Sequence, residues 1–240
     1  MRCRQPHRVA LALLLALATC GVWAGSFSVT PVRIYMALRD RAIAVTLVNE
    51  GDTPIVLQAD LNQWRQAPDG RDELIPTEDL ILSPPIIKLA PGARQVVRLA
   101  RIAPPDLQRQ LTYRLIMREV PEATPAKEGV QVTIALALSM PVFITPPGAK
   151  RELACEFTPV DPQFLGATCD NRGNAYAQIR SVRFLRGEQA LAQFQGGEYF
   201  LPGSRKTILV KAARAVAAGP AKMVLGFDDG QSQSFDVVLP

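Results

Sequence analysis

Apolar and polar side chains alternate at period two through most of the chain. "IAVTLVNEGDTPIVLQADLNQW" (Ile43 to Trp64) gives a strand, a turn rich in Asn, Gly, Asp and Pro, then a second strand. "RQVVRLARI", "LTYRLIMREV" and "VQVTIALALSMPVFI" follow, each alternating or carrying a continuous apolar core. No stretch carries a helical stripe. The nearest, "AARAVAAG" (Ala212 to Gly219), reads as a small-residue loop. Many short strands separated by turn signals predict an all-β fold of packed sandwiches.

A break falls in "TPPGAKREL" (Thr145 to Leu153), where Pro146, Pro147 and Gly148 stop a strand and the composition shifts. Beyond it "ELACEF", "GATCDN", "AQIRSVRFLR", "KTILVKA", "KMVLGFDD" and "SFDVVLP" supply strands for a second sandwich. The expected domains are 25–147 and 148–240, held at a nearly fixed angle by a short linker stiffened with proline. No internal repeat and no low-complexity segment is evident. Within the first domain, "SPPIIKLAPGARQVVRL" (Ser83 to Leu99) reads as a sandwich corner. Pro84 and Pro85 end a strand or carry the chain between sheets, Pro91-Gly92 makes a tight turn, and Arg94 to Ile102 restarts as a strand.

The first 24 residues read as a signal peptide. Arg2, Arg4 and Arg8 precede the apolar "VALALLLALA" (Val9 to Ala18), and "VWA" (Val22 to Ala24) offers a cleavage site after Ala24. A rival reading takes "LATC", ending at Cys20, as a lipoprotein box, although Thr19 is a poor residue before a lipidated cysteine. The apolar stretch is too short to span a bilayer, so no membrane insertion of the mature chain is expected. Loss of the leader lowers the formal charge from +5 to +2, since three arginines leave and no acid does. That balance gives no reason to propose nucleic acid as a partner. The only histidine, His7, leaves too, as do Cys3 and Cys20. A Ser-His-Asp triad, a Cys-His pair and an imidazole metal site are thereby excluded, and no cofactor is implied. Carboxylate catalysis remains open, but no paired acids stand out. Cys155 and Cys169, fourteen positions apart, read as one disulfide of a secreted chain, worth ~3 kcal/mol in the chain-entropy model. The alternative is two unrelated thiols.

The wording of the corner goes further. Two prolines, an apolar run, Pro-Gly, then Gln-x-x-Arg resembles the periplasmic chaperones of the chaperone–usher pathway, typified by the P-pilus chaperone. "YRLIMREVPE" (Tyr113 to Glu122) and "SMPVFITPP" (Ser139 to Pro147) match in order, and "SFSVTPVRIYM" resembles the family's first strand. The second half matches only as a weaker, cysteine-bearing immunoglobulin-like domain. Pro141 is more like the archaic branch of the family. The resemblance implies two immunoglobulin-like domains set in an L and a periplasmic, non-enzymatic protein. Such a protein binds pilus or fimbrial subunits that lack a strand, lends them one, and delivers them to an outer-membrane usher.

The strand to be lent is "VQVTIALALSM". Val130, Val132, Ile134, Leu136, Leu138 and Met140 share one face, with Gln131, Thr133, Ala135, Ala137 and Ser139 on the other. Periodicity alone favours an ordinary half-buried strand. Six apolar residues, however, exceed what one small sandwich covers, and lending the surplus by strand addition accounts for them. Family members fix the register with cations that clamp the subunit's C-terminal carboxylate. By position, Arg33 matches the first-strand arginine. The usual partner lysine is replaced by Pro141, which makes Arg114 the second candidate. For both arginines, solvated strand surface is the alternative. Arg118 and Glu119 are expected to form a structural ion pair near the domain junction. A secreted immunoglobulin-like adhesin or pilus component, and a hydrolase using carboxylates, are the competing functions. A pilus subunit would be one short domain with an N-terminal extension, and a hydrolase would need acids converging on a cleft.

Overall fold

Alternation in sequence becomes alternation of burial. In the strand Arg94–Arg101, Val97 and Leu99 are sealed in the core while Val96 and Arg98 face outward. The structure, a computed structural model, describes residues 27–121, 134–161, 163–212 and 214–240, and its elements there are all strands. Residues 1–24, Val130 and Val132 lie outside the described residues.

The first sandwich is built from β1 (Phe27–Thr30), β2 (Ile34–Ala37), β3 (Ala42–Asn49), β4 (Ile55–Gln66), β5 (Asp72–Pro76), β6 (Leu80–Ser83), β7 (Ile86–Leu89), β8 (Arg94–Arg101), β9 (Leu111–Glu119) and β10 (Ala137–Thr145). One sheet has the order β1-β3-β8-β6 and the other β2-β10-β9-β4-β5, with β7 also on β4. Val45, Leu47, Leu57, Leu99, Leu115 and Val142 are among the fully buried residues between them. The second sandwich comprises β11 (Leu153–Asp161), β12 (Phe164–Asn171), β13 (Ala177–Arg186), β14 (Gln189–Phe200), β15 (Arg205–Lys211), β16 (Gly219–Phe227) and β17 (Ser232–Leu239). Its sheets run β11-β12-β15 and β14-β13-β16-β17, around a separate core that includes Ile179, Phe184, Phe200, Val210 and Leu225. Both sandwiches are immunoglobulin-like.

The proline corner crosses between sheets. β6 pairs with β8 in one sheet, and after Pro84-Pro85 β7 pairs with β4 in the other. Gly92 takes φ +67, which its lack of a Cβ permits, and Arg94 restarts the chain as β8. A fully buried side chain, Asn49, fastens this corner. Its Nδ2 donates to the carbonyls of Thr53 (2.8 Å) and Ala90 (3.1 Å), and its Oδ1 accepts from the Gly51 amide (3.0 Å). Asn171 does the same in the second sandwich, donating to the carbonyls of Ala175 and Phe200 and accepting from the Gly173 amide. The shared Asn-x-Gly device is a structural echo between domains that carry no evident sequence repeat.

Cys155 and Cys169 face one another in register on β11 and β12 and are joined as a disulfide. The Ala212 to Gly219 segment forms no helix among its described residues; Ala212 makes an isolated bridge to Ala192 and donates its amide to the Gln163 carbonyl.

Candidate functional site

The sheet order leaves part of β10 without a neighbour. β9 pairs with β10 from Ala137 to Ile144, whereas β2 covers only Val142 to Thr145 on the other side. Residues 137–141 are therefore a free edge. Hydrogen bonding in an antiparallel pair alternates, and the Glu119 amide donates to the Leu136 carbonyl at 2.9 Å. Leu138 and Met140 accordingly bond to β9, while Ala137 and Ser139 turn their N–H and C=O groups outward. Pro141 also points outward, where its missing N–H leaves no ladder bond unmade.

The side chains of this strand divide in a way that periodicity does not reveal. Met140 is only 4 % exposed and lies in the first core, and Leu138 packs half-buried against it. Leu136 is 37 % exposed and Ile134 is 86 % exposed, so the stripe runs on past the core into solvent. Met140 thus belongs to the domain's own interior. The reason is local: at that level β9 and the facing sheet still cover the strand, and beyond Glu119 β9 ends.

Arg114 stands beside Pro141 in register, and its guanidinium lies over the Trp64 ring at 3.7 Å from the centroid. Tyr199, from the second domain, is 5.5 Å away on the same cation. Among the described residues no acid is within ion-pair distance of Arg114. Burial holds its pKa below the ordinary arginine value, with Asp72 and Tyr199 opposing the shift. The result is a half-buried cation stabilised by aromatic faces and lacking a carboxylate.

Arg33 is placed differently. Its Nη1 is 2.5 Å from Asp228 Oδ2, and its Nη2 donates to Gln178 Oε1 at 2.6 Å. Both partners belong to the second domain. The Tyr176 hydroxyl donates to the same Asp228 oxygen at 3.2 Å. Burial, the bond shared with Tyr35 and the nearby Asp228 carboxylate keep the Tyr176 phenol protonated well above its usual range. The solvated-surface alternative therefore fails for both arginines.

The expected Arg118–Glu119 pair is not formed. Neighbours on a strand point to opposite faces, and Arg118 pairs instead with Asp60 on β4, Nε to Oδ2 at 3.0 Å. Glu119 receives the Leu136 amide at 3.4 Å. Nor are these residues at the junction: β9 starts there, where the Gln110 amide donates to Asn174, and ends at the far side of the domain.

An aromatic cluster fills the junction itself. Trp64 and Phe143 of the first domain meet Tyr176, Tyr199 and Leu201 of the second. Phe143 stacks on Tyr176 with ring centroids 4.1 Å apart, and Trp64 meets Tyr199 edge-on at 5.1 Å. Gln66 donates to the Tyr199 carbonyl and accepts from the Leu201 amide. None of these residues stood out in the sequence. The signal present was an outward-facing phase on β4 and β10 that carries Trp64 and Phe143 where a solvated face would be polar.

Residues 26–150 match the family model described as pili and flagellar-assembly chaperone, PapD N-terminal domain. A curated relative, Probable fimbrial chaperone protein ElfD of Escherichia coli (strain K12), is 27% identical over 146 residues, 58% of this chain and 59% of its own length. The chain thus spans about three-fifths of that relative. Among solved structures, the chaperone–tip adhesion subunit pre-assembly complex CsuC-CsuE, from archaic chaperone-usher Csu pili of Acinetobacter baumannii, aligns with a TM-score of 0.64. Its identity is 20%, covering 88% of this chain and 98% of that one. The Salmonella enterica SafA pilin in complex with the SafB chaperone gives a TM-score of 0.60 at 16% identity, covering 90% and 97%. At such identities the likeness is one of fold.

Proposed function

The chain belongs to the pili and flagellar-assembly chaperone family, and from that membership we propose that it is a periplasmic chaperone for pilus or fimbrial subunits. It holds each subunit by donor-strand complementation and passes it to an outer-membrane usher. The observation that carries this reading is the free edge of β10 from Ala137 to Pro141, continued by the exposed Leu136 and Ile134. Outward N–H and C=O groups supply a ladder for a subunit strand, and the protruding apolar side chains fill a groove that the subunit lacks residues to fill. This accounts for a stripe that a secreted monomer would otherwise leave bare.

Register has to be fixed, because a slip of one residue turns every side chain to the wrong face. Arg114 is the anchor for the subunit's terminal carboxylate: it is charged, half-buried and stacked on Trp64, with no acid in ion-pair distance among the described residues. Its guanidinium can meet a carboxylate with two parallel hydrogen bonds, which suits it to the place where P-pilus-type members use a lysine. The activity is non-covalent binding and requires neither a cofactor nor a nucleophile. Co-expression in the periplasm with the cognate subunit tests it. The wild-type chain recovers soluble subunit, and a Leu136→Asp chain, folded but carrying a carboxylate in the apolar stripe, recovers none. Equal recovery by the two chains would contradict the reading.

A further inference from the structure

Asp228 follows β16 and reaches across the junction to the first domain. One of its oxygens takes both the Arg33 guanidinium (2.5 Å) and the Tyr176 hydroxyl (3.2 Å). Gln178 takes the other guanidinium nitrogen of Arg33 at 2.6 Å. Arg33 is not walled in by these contacts. It borders an open cleft of about 950 Å³ that is also lined by Tyr35, Lys150, Arg151 and Tyr176. A ligand's carboxylate has room to approach, but the charge it would seek is already neutralised. Arg114 presents the opposite case, a cation with aromatic support and no acid within ion-pair distance among the described residues.

We propose that Asp228 is an internal carboxylate that occupies Arg33 in place of a ligand's, clamps the two domains together, and leaves Arg114 as the cation open to the subunit terminus. The inference rests on the chaperone reading and adds to it the residue that decides which arginine serves as anchor. Coulomb attraction at 2.5 Å in a half-buried setting is hard for a second carboxylate to displace, because the displaced Asp228 would be left beside Tyr176 without its cation. Removing the Asp228 charge while keeping its shape should therefore create a second anchor where the wild type has one.

The test needs no natural subunit. The probe is a short peptide of alternating valine and threonine ending in a free carboxylate, compared with the same peptide ending in an amide. Trp64 fluorescence reads binding, since it is the only tryptophan from residue 25 onward. The quantity of interest is the ratio of acid to amide affinity, measured on full mature chains whose folding is checked by thermal unfolding. Asp228→Asn should raise this ratio about fivefold or more, the scale usual for coupled sites. Adding Arg33→Ala to Asp228→Asn should remove the gain, so that Arg33→Ala costs far more in that background than alone. If Asp228→Asn does not fold, Asp228→Ser takes its place in the same cycle. A ratio unmoved by loss of the Asp228 charge, or one already abolished by Arg33→Ala alone, would overturn the proposal. Arg114→Ala separates the two readings. If it leaves the ratio intact while the Asp228 and Arg33 results hold, the anchor assignment fails and the Asp228 clamp stands. A ratio of one in every chain contradicts both.

Discussion

Arg114 is held by aromatic faces and, among the described residues, by no acid, so its removal leaves the ion pairs described in the first domain untouched. Arg114→Ala should weaken subunit capture at least tenfold, in line with the ~2–5 kcal/mol lost when one side of a desolvated charge pair is truncated. Arg98→Ala, on the solvent face of β8, is the control and should capture normally. Arg101 would not serve, because its guanidinium donates to the carbonyls of Ala103 and Leu38 and so ties a loop to the sheet. Subunit recovery from periplasmic extracts decides the comparison, and equal losses in Arg114→Ala and Arg98→Ala would remove Arg114 from its role. The sequence identified Arg114 and Arg33 as cations worth weighing. It could not separate them, because what distinguishes them is a partner remote in sequence: Tyr199 and Trp64 for one, Asp228 and Gln178 for the other. The Arg118–Glu119 pairing failed for a simpler reason. Adjacent residues on a strand diverge, and Asp60, the actual partner of Arg118, lies on a neighbouring strand.

Strands are where the sequence was most readable and where its silences are most instructive. The proline corner was legible because Pro84, Pro85, Pro91 and Gly92 each restrict the backbone in a known way, and β6 and β7 fall on either side as that restriction requires. β14 was not legible. Its stretch was not among the strands read from the sequence, and two adjacent glycines, Gly196 and Gly197, lie within it at a bulge opposite Arg180, between the Ile179–Glu198 and Ser181–Gln195 pairs. In β10 the period was right, but its division between own core and lent stripe depends on where β9 stops. That division makes a prediction. Leu136→Asp should leave the free protein with an unfolding temperature near wild type, whereas Met140→Asp should not yield a folded first domain, because it buries a carboxylate among apolar side chains. If Leu136→Asp also unfolds the free chain, Leu136 belongs to the core and the stripe is shorter than described. In the second domain, Cys155→Ser breaks the only cross-link between β11 and β12 among the described residues. A loss of about 2–5 kcal/mol in denaturant unfolding of that domain is expected, with capture by the first domain largely retained.

At the scale of the molecule, the junction is a small core of its own rather than a hinge. Trp64, Phe143 and Leu201 are buried there, ringed by Tyr176 and Tyr199 and by the Gln66 and Gln110 bonds that cross between domains. Tyr199→Ala should therefore loosen the domains and leave the Arg114 guanidinium with Trp64 as its one remaining aromatic face among the described residues, and calorimetry should show two separated unfolding transitions where the wild type shows one. A single unchanged transition would mean that the cluster fills space without coupling the domains. The central claim, that the free edge of β10 is lent to a subunit, is tested most directly by amide hydrogen exchange in the free chaperone and in its complex with the cognate subunit. Ala137 and Ser139 turn their amides outward and should slow about tenfold or more on binding, while Leu138 and Met140, already bonded to β9, should change little. Unaltered exchange at Ala137 and Ser139 in a stable complex would contradict the account, because the subunit would then be held by some surface other than this edge.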